Sequence, residues 1–323
     1  MQYTERNMQL RGGYRMAKVM TVRGEVAGED LGIVDYHEHL YFDAPNWLLR
    51  EDRDFRLNDV EKSAEELGTW AQAGGKTIIE MSAIDFGRNI HKVKQVAELV
   101  PEVHVIVITG FNKPYFCDRW VWEADETELV KRCLRDIVEG IDGTDVKAGI
   151  MKGGSGYNTF TDYDEKLMRM AATVHNETGV PIITHTEAGT MGFEQVDYLA
   201  AQGVEPRNVC LSHLDRNPDF WEHRRIAETG AYLGYDCPGK IKYGPDELRI
   251  HVLKRLIDAG FGRLILLGND FGRPSYWRTY GGGPGLDFVL TKFVPRLRDE
   301  GISEQAISDL LVNNPRRFLT GEG

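Results

Sequence analysis

Two histidines one residue apart, His37 and His39, close the apolar run that begins at Ile33-Val34. In a β-strand successive side chains point to opposite faces, so both imidazoles would share one face and Glu38 would turn away from it. Such a pair is half of a metal site. Four more apolar runs end in a residue that can bind a cation or carry charge: Ile150-Met151 before Lys152, Ile182-Ile183-Thr184 before His185, Val209 to Ser212 before His213, and Leu264 to Asn269 before Asp270. Each residue alone has an ordinary explanation. A strand-end histidine is commonly a hydrogen-bonded structural group, a lysine a solvated charge, and an aspartate the cap of the next helix. His37, His39, Lys152, His185, His213 and Asp270 together predict a metal site.

The number of donors points to two ions. Four histidines and an aspartate exceed the three protein ligands usual for one catalytic zinc. They suit a pair of divalent ions about 3.5–4 Å apart, which can hold a hydroxide between them and polarise the bond to be cut. A Lys152 ammonium would be repelled there; carbamylation by carbon dioxide turns it into an anionic carboxylate able to bridge both cations. Zinc fits such nitrogen and oxygen donors, and manganese, cobalt and iron(II) accept them as well.

Positioning these groups requires a regular frame, and the sequence supplies one. Apolar runs of strand length recur at Ile33–His39, Thr77–Ser82, Val103–Thr109, Ala148–Lys152, Pro181–Thr186, Val209–His213, Tyr232–Asp236 and Leu264–Asp270. Between them lie charged segments of helical period, at Asn58–Ala73, Ile90–Leu99, Asp125–Glu139, Asp162–Thr178, Met191–Gln202, Asp219–Glu228, Pro245–Ala259 and Leu286–Asp299. Strand then helix, eight times, predicts a (β/α)8 barrel of parallel strands, an α/β fold whose chemistry sits at the C-terminal strand ends. A doubly wound open sheet is the alternative, but no Gly-x-Gly-x-x-Gly follows the first strand. One barrel accounts for residues 1–323, with 1–31 as an N-terminal hairpin or cap in which Lys18–Val26 alternates.

Composition bounds the partners. The formal charge is −11 with no cluster of Lys and Arg, which argues against nucleic acid or an anionic membrane surface. Cys117, Cys133, Cys210 and Cys237 show no paired spacing, as expected of reduced thiols in the cytoplasm. Arg6, Arg11, Arg15 and Lys18 interrupt the opening stretch and leave no signal-peptide core, and no apolar stretch approaches the roughly 20 residues of a membrane span. A small molecule is the expected partner. A homodimer is expected on base rate alone.

The set His37-x-His39, Lys152, His185, His213 and Asp270 resembles the amidohydrolase superfamily and, within it, the phosphotriesterase-like branch. Local stretches carry the same likeness: Tyr36-His37-Glu38-His39-Leu40, Thr184 to Thr190, Ser212 to Asn217 and Asn313-Asn314-Pro315. Met81 to Arg88, Gly110-Phe111-Asn112-Lys113 and Lys240-Ile241-Lys242-Tyr243 are most similar to the subgroup that opens lactones of phosphorylated sugars. The resemblance implies that His37, His39 and Asp270 hold the more buried metal, that His185 and His213 hold the more exposed one, and that carbamylated Lys152 bridges them. It implies attack of a bridging hydroxide on the ester carbonyl of a pentono-1,4-lactone, with Asp270 passing the proton to the leaving alkoxide.

A phosphorylated lactone needs a cationic pocket, and the loops after strands seven and eight hold Lys240, Lys242, Tyr243, Arg273, Tyr276 and Arg278. Arg273 is expected to grip the phosphate through two parallel hydrogen bonds, beside the Lys242 charge and the Tyr276 hydroxyl. Arg216, Asn112 and Lys113 are expected at the lactone end; bracing of Asp215 is the other role open to Arg216. Gly153-Gly154-Ser155 and Phe271-Gly272 depart from the subgroup pattern and reshape the pocket. Three alternatives are carried: a phosphotriesterase acting on organophosphates, a lactonase for unphosphorylated rings, and a Schiff-base aldolase acting through Lys152. The four histidines have no use in the last.

Overall fold

The computed structural model describes residues 17–117 and 119–322. It begins with an antiparallel hairpin, β1 (Lys18–Thr21) and β2 (Gly24–Ala27). Residues 1–16 of the expected cap lie outside the described residues. Eight parallel strands follow: β3 (Val34–Glu38), β4 (Thr77–Glu80), β5 (His104–Gly110), β6 (Ile150–Gly154), β7 (Ile182–His185), β8 (Val209–Ser212), β9 (Tyr232–Tyr235) and β10 (Ile265–Leu267). They pair in sequence order, each joined to the next through helix on the outside, which is the expected (β/α)8 barrel. Apart from half-buried His104, every residue of β3 to β10 is buried, because one face meets the barrel interior and the other the helices. That double burial is why these strands are continuous apolar runs.

The seam between β3 and β10 is closed largely by one side chain. Asp35, 1 % exposed, accepts from the His37 N–H at 3.0 Å, the Asn269 N–H at 3.3 Å and the Asn269 side-chain amide at 2.6 Å. The Asp270 N–H adds a backbone bond to the His37 carbonyl at 2.8 Å. β10 stops at Leu267, short of the expected Asp270, because the chain bends out of strand geometry and Asp270 itself takes a left-handed conformation at φ 50°. The expected helix Leu286–Asp299 is also modified: Val289–Phe293 forms a π-helical turn before the α-helix Val294–Asp299. A second π-helical turn, Asp309–Asn313, precedes the helix Asn314–Thr320. In both places a proline, Pro295 or Pro315, is the second residue of the following helix. Proline has no N–H for the preceding turn, and the ladder widens to accommodate it.

The hairpin caps the end of the barrel remote from the strand C-termini. The Val22 N–H bonds the Val105 carbonyl at 2.8 Å, and Arg23 reaches the carbonyls of Ala97, Pro101 and Val103 at 2.6, 2.7 and 2.8 Å. On the same side, buried Asn314 donates to the carbonyls of Gly262 and Ile265 at 2.8 and 2.7 Å, tying the last helix to the start of β10. Asn314→Ala strands both carbonyls in an apolar setting. It is expected to lower the stability to chemical unfolding by about 1–3 kcal/mol, and an unchanged denaturation midpoint would show that the carbonyls find other donors.

Candidate metal centre

The four histidines line up across the C-terminal mouth of the barrel. Ring centroids are 5.8 Å apart for His39 and His37, 4.9 Å for His37 and His213, and 4.6 Å for His213 and His185. Each ring has one nitrogen tied to the protein. His37 Nδ1 meets Ser212 Oγ at 3.0 Å, and His39 Nδ1 meets Ser82 Oγ at 2.9 Å, with that hydroxyl donating on to Glu80 at 2.5 Å. His213 Nδ1 meets Asp236 Oδ1 at 2.7 Å, and His185 Nε2 meets Glu187 Oε2 at 3.0 Å. The remaining nitrogens of His37 and His39 face Asp270 Oδ1 at 3.7 and 3.4 Å. Among the described residues no hydrogen bond engages His213 Nε2 or His185 Nδ1. Rings held at one nitrogen with the other left over are oriented as metal-binding histidines are, so the donor set fits divalent ions.

Protonation favours the same use. Burial, reinforced by the charge on Lys152, lowers the His37 pKa to about 3, and burial with the Lys113 charge holds His185 well below its ordinary value, so both rings are neutral donors. Lys152 is 2 % exposed; burial brings its pKa down to about 8 against the pull of Asp236 and Asp270, which leaves a nucleophilic amine fraction near neutral pH. Burial alone would raise Asp270, but the Lys240 charge and the histidines hold it well below the usual carboxylate range. His213 and Asp270 also sit at φ 64° and 50°, left-handed conformations that non-glycine residues keep only where the surroundings enforce them. Two compact donor groups result, His37/His39/Asp270 and His213/Asp236/Cys237/Asp270.

Asp236, Glu187 and Asp85 also organise this centre, though the sequence did not single them out, and Lys240, expected among the cations of the phosphate pocket, sits on Asp270 instead. Asp236, wholly buried at the end of β9, takes the Tyr36 hydroxyl, the His213 N–H at 3.1 Å and His213 Nδ1, and lies 3.3 Å from His37 Nδ1. The rule that found the other strand-end residues finds it when applied to the seventh strand, and finds Glu80 on the second. Lys240 is 2 % exposed and pairs with Asp270 Oδ2 at 2.5 Å, leaving Oδ1 toward His37 and His39. Glu187 binds Lys113, His185 and, at 3.2 Å, Arg216. Asp85 receives the Asn112 N–H at 3.0 and 3.1 Å on its two oxygens.

A cavity of about 390 Å³ opens above the histidines. Its floor holds His37, His39, Lys152, His185, His213 and Asp270; its walls include Asn112, Lys113, Arg216, Lys242, Arg273 and Tyr276, whereas Arg278 of the expected cationic loops is not among the lining residues and pairs with Asp287 at 2.7 Å. The state of the wall residues differs from expectation in places. Arg273 pairs with Asp52 at 2.5 Å and lies over the Phe55 ring at 3.8 Å, so its guanidinium is already engaged. Arg216 does not brace Asp215, which pairs instead with Arg249 at 3.3 Å; Arg216 joins Glu187 and stacks over Tyr243 at 4.1 Å. Lys242 makes no ion pair among the described residues and stands 5.4 Å from the Tyr276 ring. Gly272 is required where it is, since a Cβ there would lie 2.7 Å from the His39 ring.

The phosphotriesterase family model matches residues 17–319. The chain belongs to the phosphotriesterase family. It is 36% identical over 320 residues to a phospho-furanose lactonase of Mycoplasmopsis synoviae, covering 93% of this chain and 90% of that protein. The crystal structure of a lactonase from Listeria monocytogenes superposes with a TM-score of 0.91 at 33% identity, covering 95% of this chain and all of that one. The phosphotriesterase homology protein of Escherichia coli, solved with phosphate in its active site, gives a TM-score of 0.86 at 34% identity, covering 90% of this chain and 99% of that one.

Asp236 offers a test of the centre that is independent of substrate. Asp236→Asn loosens His213 and His37 together and is expected to weaken metal affinity by about 10–100-fold, read by titration of the metal-stripped protein; unchanged affinity would remove Asp236 from the site.

Proposed function

We propose that this protein is a metal-dependent hydrolase that opens the γ-lactone ring of a phosphorylated sugar. One observation carries the reading: a metal-fitting floor of histidines and Asp270 lies in the same cavity as Lys242, Arg273 and Tyr276, an oxyanion-binding set. Family membership, the lactonase relatives and the phosphate bound by the Escherichia coli protein support it. Two divalent ions, zinc by donor preference, would be held by His37, His39, Lys152, His185, His213 and Asp270; they would lower the pKa of water so that a nucleophile exists at neutral pH, and polarise the lactone carbonyl. Lys152 would serve as a carbamate, for which its buried, partly neutral amine is suited.

The chain's own groups supply the rest. Asp270, an acceptor at the cavity floor, takes the proton of the nucleophile and returns it to the alkoxide released as the ring opens. Lys240 keeps that carboxylate aligned through its second oxygen. Lys242 and the Tyr276 hydroxyl hold the phosphate from the outer wall. Arg273 joins them by exchanging Asp52 for phosphate, so its contribution is the difference between two ion pairs. Phe55, Phe86 and Phe116 line the cavity and limit water around the reacting ester.

Hydrolysis of a panel of γ-lactones, half of them carrying a terminal phosphate, tests the reading with and without a chelator. Turnover that is sensitive to chelator and confined to the phosphorylated members is expected. Turnover only of neutral lactones or phosphotriesters would discard the phosphate pocket, and activity indifferent to chelator would overturn the metal chemistry. In the same assay Asp270→Asn is expected to cut kcat by roughly 10²–10⁴-fold, a larger loss than its loss of bound metal; full activity in that variant would end its assignment as proton carrier.

A further inference from the structure

Asn112 lies in the loop after β5 and is 7 % exposed. Its backbone N–H is fixed by both oxygens of buried Asp85, at 3.0 and 3.1 Å. Its side chain is treated differently. Oδ1 is buried with no hydrogen-bond partner, and no bond engages Nδ2 among the described residues, yet the residue lines the cavity. Buried amide groups are nearly always bonded, so a side-chain amide at the cavity wall with no protein partner at either end is free to turn to a group the ligand brings. Among the described residues, only Asn112 Oδ1 and Arg216 Nε are buried side-chain atoms without a partner on residues that line this cavity. The two residues belong to one assembly: Lys113, next to Asn112, and Arg216 both pair with Glu187, which also holds His185.

The position of Asn112 is set against the metal floor. Gly154 lies between them: a Cβ there would stand 2.8 Å from the Asn112 carbonyl oxygen and 2.8 Å from His185 Cβ. Only a glycine at the end of β6 lets the Asn112 loop approach His185 this closely. Asn112 therefore adjoins the metal floor where the carbonyl of the substrate must sit, and Lys242, Arg273 and Tyr276 take the phosphate. A primary amide offers one acceptor and two donors and no charge; a hydroxyl group, itself donor and acceptor, can use both ends, whereas a phosphate uses only the donors and an apolar ring carbon neither.

We propose that Asn112 reads the hydroxyl on the ring carbon next to the lactone carbonyl, making the enzyme selective for 2-hydroxy over 2-deoxy lactones. The proposal rests on the lactonase reading above. Arg216 supplies the donor on the same side, and the Glu187 assembly holds both walls of the subsite. When a site is built to bond a hydroxyl, a substrate lacking it leaves the amide unpaired and is rejected.

The test compares kcat/KM for a five-membered lactone phosphate and its 2-deoxy analogue, using the metal-loaded enzyme. Wild type is expected to prefer the hydroxylated lactone by on the order of 10²–10⁴-fold, and Asn112→Leu to bring the two substrates within about tenfold of each other, with bound metal retained. Asn112→Ala serves as a second variant should the leucine disturb folding. Equal turnover of the two lactones by wild type overturns the proposal without any variant. A preference that survives in Asn112→Leu or Asn112→Ala overturns it as well, as does an equal loss on both substrates, which would mark a structural role. Absence of turnover on every lactone sinks the lactonase reading and this proposal with it, an outcome distinct from turnover without discrimination.

Discussion

The bond from His213 Nδ1 to Asp236, 2.7 Å long and made by two buried residues, is the interaction on which the centre turns. A buried carboxylate is costly unless it is paired and hydrogen-bonded. Asp236 meets that requirement by collecting the Tyr36 hydroxyl, the His213 N–H and the ring nitrogens of His213 and His37, and this pairing holds it ionised although burial opposes that. Because the partners come from β3, β8 and the end of β9, the need to satisfy one charge fixes three segments of the mouth relative to one another. The left-handed backbone of His213 belongs to the same arrangement, since it lets the residue offer its N–H and its ring to one carboxylate.

The same logic repeats at a smaller scale around the mouth. Glu80 receives Ser82, which bonds His39; Glu187 receives His185, Lys113 and Arg216; Lys240 faces Asp270. Some of these partners are local, as Ser82 is to Glu80 and His185 to Glu187, and others, Lys113 and Arg216 with Glu187 and Lys240 with Asp270, join separate loops. Residues within this network are strongly coupled, and changes to them are not expected to add.

The frame was largely legible in the sequence because strands buried on both faces write themselves as apolar runs, and because each such run ends where the barrel opens. The positions of His37, His39, Lys152, His185, His213 and Asp270 followed from that alone. Asp236 and Glu80 occupy the same strand-end position and were open to the same rule; what the sequence did not carry is their role, since a carboxylate that orients an imidazole reads like one that caps a helix. The pairing of Arg273 with Asp52 and of Lys113 with Glu187 joins loops 221 and 74 residues apart, and no local pattern encodes such meetings. The stop of β10 at Leu267 and the two π-helical turns were hidden for a related reason: a strained Asp270 and the second-position prolines alter geometry without altering hydrophobic period.

The β1–β2 hairpin is clasped by Val22 and Arg23 onto the underside of the barrel, at the end away from the cavity. A TIM-barrel interior is packed with side chains, so it offers no exit through the floor. Under the proposed function, opening a lactone would add a carboxylate to a molecule that already bears phosphate, and this more negative product would have to depart past the same Lys242 and Arg273 that would draw the substrate in. On the proposed function the charge at that rim would be a compromise between capture and release, and the Asp52 carboxylate paired with Arg273 would tip it toward release.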